Sequence, residues 1–183
     1  MVRVLLEGSK TQTRRLASSP LAKAQPDDLL YVREHWSTHP AFDGIAPRDL
    51  PRGSMIYTRA DDQWYNNGDW IGAPYGKHRQ GMHMPRWASR ITLELHSVAF
   101  ENLRDISEDD AGAEGMPEPY LGDGDPPFEE QAIWVSRKMQ FRNLWNRLHD
   151  KPGERWVDDP TVVALTFSAH LHNVDNLPAG VLR

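Results

Sequence analysis

Apolar and polar residues alternate with period two over residues 90–100, where Ile91, Leu93 and Leu95 are separated by Thr92, Glu94 and His96, and this pattern predicts a half-buried β-strand. Residues 161–167 repeat it with Val163, Leu165 and Phe167, which predicts a second strand. The turn signal Pro26-Asp27-Asp28 precedes the apolar, aromatic and β-branched run Leu29-Leu30-Tyr31-Val32-Arg33-Glu34, expected as a buried strand that leaves the core at its charged end. A shorter run at 54–58 predicts one more strand. Residues 2–7 suit one or two helical turns closed by Gly8, a strand being the alternative. Ser107 offers an N-cap to a helix over 106–115, with acids in its first turn and Asp110 three residues on in the place of a capping box. Glu114 falls at the far, negative end of that helix. Residues 132–149 place Ile133, Val135, Met139, Phe141, Leu144, Trp145 and Leu148 at mixed three- and four-residue steps, an amphipathic helix against a sheet.

The resulting order of helix, strands, helices and strand predicts an α+β fold with a mixed, barrel-like sheet flanked by helices. With 183 residues, 39% of them hydrophobic, the chain suffices for one domain with a substantial core, here taken as 1–183. Two stretches read as insertions: 35–85, dense in Pro, Gly, Asn, Asp and Trp and expected to form a flap, and 116–130, rich in Pro, Gly and acids.

The chain has no cysteine, which removes disulfides, thiolate metal sites and a cysteine nucleophile. No apolar run approaches the roughly 18 residues of a membrane span, so no membrane partner is expected and the cytoplasm is the expected location. A net charge of -5 offers polyanions no general attraction; binding to RNA would need a local basic patch. Eight histidines show no metal-ligand spacing, although His170 and His172 would share a strand face. No metal and no cofactor is expected.

The densest chemistry lies in Gly8-Ser9-Lys10-Thr11-Gln12-Thr13-Arg14-Arg15. Mutual repulsion among Lys10, Arg14 and Arg15, together with burial, would lower the lysine pKa and make Lys10 a usable base. Thr13 is a nucleophile only with such a base within reach, which in a plain strand it would not have, so the backbone must bend after Gly8.

Four segments resemble the ASCH superfamily, which has a PUA-like β-barrel fold, and particularly its phage-type members. They are Gly8-x-Lys10-x-x-Thr13-x-Arg15, the run from Pro26 to Glu34, Met84-Pro85-Arg86-Trp87-Ala88-Ser89-Arg90-Ile91, and Ile106-Ser107-Glu108-Asp109-Asp110-Ala111. The superfamily commonly has Glu where this chain has Thr13. In that respect the chain is similar to small bacterial amidohydrolases that remove acetyl from N4-acetylcytidine with a lysine, a threonine and a glutamate. That resemblance implies Lys10, Thr13 and Glu114 as the catalytic set. The chain departs from the pattern in its length, in Asp28 after Asp27, and in its tryptophan-rich insertion.

The reaction so implied is hydrolysis of the exocyclic N4 amide of an acylated cytidine. In one form Lys10 activates Thr13, Thr13 forms an acyl-enzyme, and Glu114 protonates nitrogen and then activates water. In another Glu114 activates water directly, Lys10 holds the oxyanion and Thr13 positions the substrate. Arg15, Arg33, Glu34, Tyr57, Trp87 and Arg90 are the candidate substrate-binding residues, by stacking or by hydrogen bonds to the base and ribose, and an open flap would admit several acyl groups. The expected partner is a small nucleoside. The alternative is an RNA-binding or RNA-cleaving module using Arg14, Arg15, Arg33 and the basic residues of the 132–149 helix.

Overall fold

The structure is a computed structural model that describes residues 2–65, 74–119 and 135–180. Its elements are helix α1 (Val2–Leu6), strands β1 (Gln12–Leu16), β2 (Leu29–Tyr31), β3 (Trp36–Ser37), β4 (Ile56–Thr58), β5 (Gln63–Tyr65) and β6 (Thr92–Asn102), helices α2 (Glu108–Ala113) and α3 (Arg137–Leu148), and strand β7 (Thr161–His170), with short 3-10 turns between them. The fold is α+β, and the chain forms two compact units, one of Arg3–Asp28 and Leu95–Ser168, the other of Leu29–Glu94 and Ala169–Arg183. Among the described residues no helix is long and apolar enough to cross a membrane.

In the first unit β7 lies between β1 and β6. β1 pairs antiparallel with β7, Thr13 opposite Leu165 and Arg15 opposite Val163. Where a mixed sheet was expected, every pairing with a defined register is antiparallel. Helices α2 and α3, both between β6 and β7, pack on each other and on the sheet, Ala111, Phe141 and Trp145 meeting Val162 of β7 together with Leu103 and Ile106. Burial of Phe141 and Trp145 contributes on the order of 1.5–3 kcal/mol each. The α3 helix is shorter than expected and starts at the N-cap Ser136; residues 132–134 of the expected helix lie outside the described residues. Its buried stripe is Phe141 and Trp145, one turn apart, while Met139 and Leu148 face solvent.

The second unit contains a feature invisible as a pattern. Its antiparallel sheet β3-β4-β5 pairs Trp36 with Thr58 and Tyr57 with Trp64. Residues 36–65 thus carry three strands where the sequence predicts one, and the core of Trp36, Leu50, Ile56, Met84 and Ala88 shows that the region has its own hydrophobic centre rather than acting as a bare flap. Strands of two or three residues are too short for periodicity to register. The part of the second expected insertion from 120 to 130 lies outside the described residues.

Two strand expectations change in extent or burial. The run at 29–34 is a strand only over Leu29–Tyr31, half-buried and paired with Thr92–Glu94 at a sheet edge. The start of β6 is buried on both faces, Thr92 and Glu94 included. Both polar side chains have partners that make this tolerable: Thr92 Oγ1 donates to the His172 carbonyl at 2.8 Å, and Glu94 Oε2 meets His170 Nε2 at 2.9 Å. His170 is therefore engaged by a carboxylate.

Candidate active site

Two helix ends position the basic segment. Gly8, at φ +74°, turns the chain out of α1 in a left-handed conformation that glycine adopts without steric cost. The Lys10 amide then donates to the Val4 carbonyl at 3.0 Å, and the Thr11 amide to the Ala113 carbonyl at 2.8 Å, so the backbone ahead of β1 is fastened to both α1 and α2.

α2 begins with the expected capping box, Ser107 and Asp110 each bonding the other's backbone amide. It ends in a Schellman motif: the Gly115 amide donates to Gly112 and the Met116 amide to Ala111, with Gly115 at φ +90°. A Cβ on Gly115 would stand 3.0 Å from Val4 Cγ2 and 3.5 Å from Lys10 Cβ, so the helix end rests directly on α1 and on the lysine. Glu114 is the C-cap residue, and its carbonyl is one of those a helix leaves open at its negative end.

Lys10 fills that position. Its Nζ donates to the Glu114 carbonyl at 2.7 Å and to Glu114 Oε2 at 2.6 Å, with both side chains almost wholly buried. Burial pushes the Lys10 pKa down, the Glu114 charge and hydrogen bond oppose this, and Arg15 and then Arg14 push it further down; the balance lies below the ordinary lysine value. The other carboxylate oxygen, Glu114 Oε1, is buried and has no hydrogen-bond partner among the described residues.

Thr13 is buried on β1, and its Oγ1 accepts a hydrogen bond from Arg15 Nη1 at 2.8 Å. Arg15, two residues on and exposed, also donates to the Arg14 carbonyl at 2.7 Å. The base–nucleophile hydrogen bond from Lys10 to Thr13 expected from the sequence is therefore replaced in the resting arrangement: both Lys10 bonds go to Glu114, and the threonine hydroxyl is held by Arg15.

The sequence reads Arg14 as a charge acting on Lys10 and as an RNA contact, and the structure shows it to be a buried neighbour of Glu114 as well. It is 3% exposed, and its Nε donates to Glu101 Oε1 at 2.6 Å and its Nη1 to Gln12 Oε1 at 3.0 Å. Its guanidinium also lies 3.6 Å from Asp110 Oδ2 and 3.6 Å from Glu114 Oε1. A buried arginine beside a candidate base was detectable only in principle, since alternation puts Arg14 opposite Thr13 and Arg15 without saying whether that face is covered.

The other candidate binding residues belong to the second unit. Glu34, 2% exposed, takes two hydrogen bonds from Arg90, at 2.9 Å from Nε and 3.2 Å from Nη2, and Arg90 bonds Asp61 at 2.7 and 2.8 Å. Arg33 donates to the Met82 carbonyl at 3.0 Å and lies over the Tyr31 ring. Tyr57 donates to Asp62 at 2.9 Å and stacks on Tyr75 with centroids 4.4 Å apart; burial first, and then that hydrogen bond, raise its phenol pKa. Trp87 packs against the Trp36 core.

No protein-family model and no curated protein matches the chain. Among solved structures, it is similar to an ASCH domain from Lactobacillus crispatus JV V101, at 18% sequence identity and a TM-score of 0.38, over 91% of this chain and 67% of that one.

Proposed function

We propose that the chain is an ASCH-type, phage-related amidohydrolase that removes acyl groups from the exocyclic N4 of cytidine, with Lys10, Thr13 and Glu114 as its catalytic groups. The observation that carries this reading is the buried Lys10–Glu114 contact at 2.6 Å on the segment that bears Thr13. A buried lysine and glutamate in direct contact hold one proton between them. With that proton on Glu114, Lys10 is a neutral amine and Glu114 is an acid, which are the two states acyl transfer requires at its first step.

The steps then balance. Lys10 takes the Thr13 hydroxyl proton as Oγ1 attacks the acyl carbon, and Glu114 gives its proton to N4 as the C–N bond breaks, which releases cytidine and leaves an ester on Thr13. Glu114 next takes a proton from water, the hydroxide attacks the ester, and Lys10 returns its proton to the departing Thr13 oxygen. The carboxylic acid leaves and the pair regains its starting state. Glu114 Oε1, which has no hydrogen-bond partner among the described residues, is the oxygen assigned to these transfers. Arg15, already donating to Thr13 Oγ1 at 2.8 Å, supplies positive charge beside the developing oxyanion.

The RNA-binding alternative would have to work without Arg14, which is buried beside the carboxylates of Glu101 and Asp110. The test is incubation of the purified chain with N4-acetylcytidine, following the ultraviolet change as cytidine appears and trapping the acyl-enzyme by acid quench and peptide mass analysis. Turnover with an acetyl group on the Thr13 peptide is expected; absence of any cytidine release would refute the reading.

A further inference from the structure

Resting on that reading, we infer that Arg14 is a positioning residue of the site, a buried guanidinium that holds the carboxylate of Glu114 against Lys10 by charge while leaving its Oε1 unbonded. The geometry sets out both halves of the role. Arg14 Nη1 lies 3.6 Å from Glu114 Oε1, close enough for a strong Coulomb interaction in a buried setting and too far to donate a hydrogen bond. Its other groups fix it there: Nε to Glu101 Oε1 on β6 at 2.6 Å, Nη1 to Gln12 Oε1 on β1 at 3.0 Å, and Nη2 near Asp110 Oδ2 on α2 at 3.6 Å. Asp110 and Glu114 are four residues apart, hence on one side of the helix. One guanidinium thereby ties the capping box that starts α2 and the carboxylate that ends it to the strand bearing Thr13.

A second consequence concerns Lys10. The groups that act on it are Glu114 from the end of α2 and Arg14 and Arg15 from β1; the carboxylate favours the ammonium, and both guanidiniums disfavour it. A neutral side chain at position 14 removes one source of repulsion and lets Lys10 keep its proton to higher pH. A side chain that served packing alone would leave that titration unmoved.

The experiment compares wild type, Arg14→Gln and Arg14→Lys, with Lys10 titrated by 13C NMR in selectively labelled, full-length protein and kcat/KM for N4-acetylcytidine measured over the same pH range. Arg14→Gln is expected to move the Lys10 midpoint, and with it the falling limb of kcat/KM on which the pair loses its shared proton, upward by about half a pH unit or more, roughly threefold in rate on that limb. Arg14→Lys keeps the charge and is expected to restore most of the midpoint while losing the fixed fork geometry. An unchanged Lys10 midpoint in folded Arg14→Gln would overturn the inference. If Arg14→Gln does not fold, an Arg14→Lys midpoint moved upward by about half a pH unit or more would do so as well, since charge at position 14 would then not govern Lys10. Because the NMR titration needs no turnover, an inactive wild type would sink the amidohydrolase reading without deciding the role of Arg14.

Discussion

Lys10 Nζ bonds both the side chain and the main-chain carbonyl of Glu114, at 2.6 and 2.7 Å, so one ammonium closes the carboxyl end of α2 and neutralises its last carboxylate together. Both side chains are almost wholly buried. Breaking such a contact from one side leaves an uncompensated buried charge. Lys10→Met and Glu114→Gln should therefore each destabilise the fold by about 3–5 kcal/mol, and the double variant by clearly less than their sum. Urea denaturation of the four proteins measures this; additive losses would show that the two groups are not coupled.

The lysine also gives stability a pH dependence of known sign. In the unfolded chain Lys10 keeps its proton up to the ordinary value near 10.5, whereas in the fold burial makes it release the proton earlier. Across the window between the two values the unfolded state binds more protons, so this contribution rises with pH and levels off above about 10.5. The difference in unfolding free energy between wild type and Lys10→Met should show that rise in a series of denaturant titrations. A difference that fell with pH in that window would mean that folding raises the lysine pKa.

Gly115 is held in a left-handed conformation with Val4 against its open side. Gly115→Ala should cost about 1–2 kcal/mol from backbone strain alone, and more from the contact with Val4. Since the Schellman turn fixes Glu114, the same change should depress turnover beyond what the stability loss at assay temperature explains. Thermal unfolding and steady-state kinetics on one preparation separate the two effects.

In the second unit, Arg90 is the partner of buried Glu34 and of Asp61; burial pushes its pKa down, but those bonds and charges together outweigh burial and hold it above the ordinary arginine value. Arg90→Met should destabilise by about 3–5 kcal/mol by stranding Glu34. Arg90→Lys, which keeps the charge without the double fork, should fall between that variant and wild type. If Arg90→Met folded with full stability and only weakened substrate binding, the residue would belong to recognition and not to the scaffold.

Much of this was legible in the residue order, for reasons that differ from place to place. The α2 helix announced itself because Ser107, Asp110 and the first-turn acids are local signals, and local signals do not depend on what packs against them. Lys10, Thr13 and Glu114 were legible as candidates, the last through resemblance. Their contacts were not, since whether Lys10 meets Thr13 or Glu114 depends on where the end of α2 comes to rest, which Gly115 and Val4 decide across more than a hundred residues of sequence. The burial of Arg14 was missed for a related reason: it depends on carboxylates from β6 and α2, none of them near it in the chain. β4 was legible in the run at 54–58, but its partners β3 and β5, of two and three residues, were too short for a pattern to register, and Glu94 read as exposed because period two assumes that one face of a strand meets water.

The most direct measurement is kcat/KM for N4-acetylcytidine with wild type, Lys10→Ala, Thr13→Ala, Glu114→Ala and the triple variant, each shown to be folded by circular dichroism. If the three groups act as one unit, every single variant should lose about 10²-fold or more, and the triple variant should be scarcely worse than the worst single one. A folded single variant that retained wild-type kcat/KM would contradict the account.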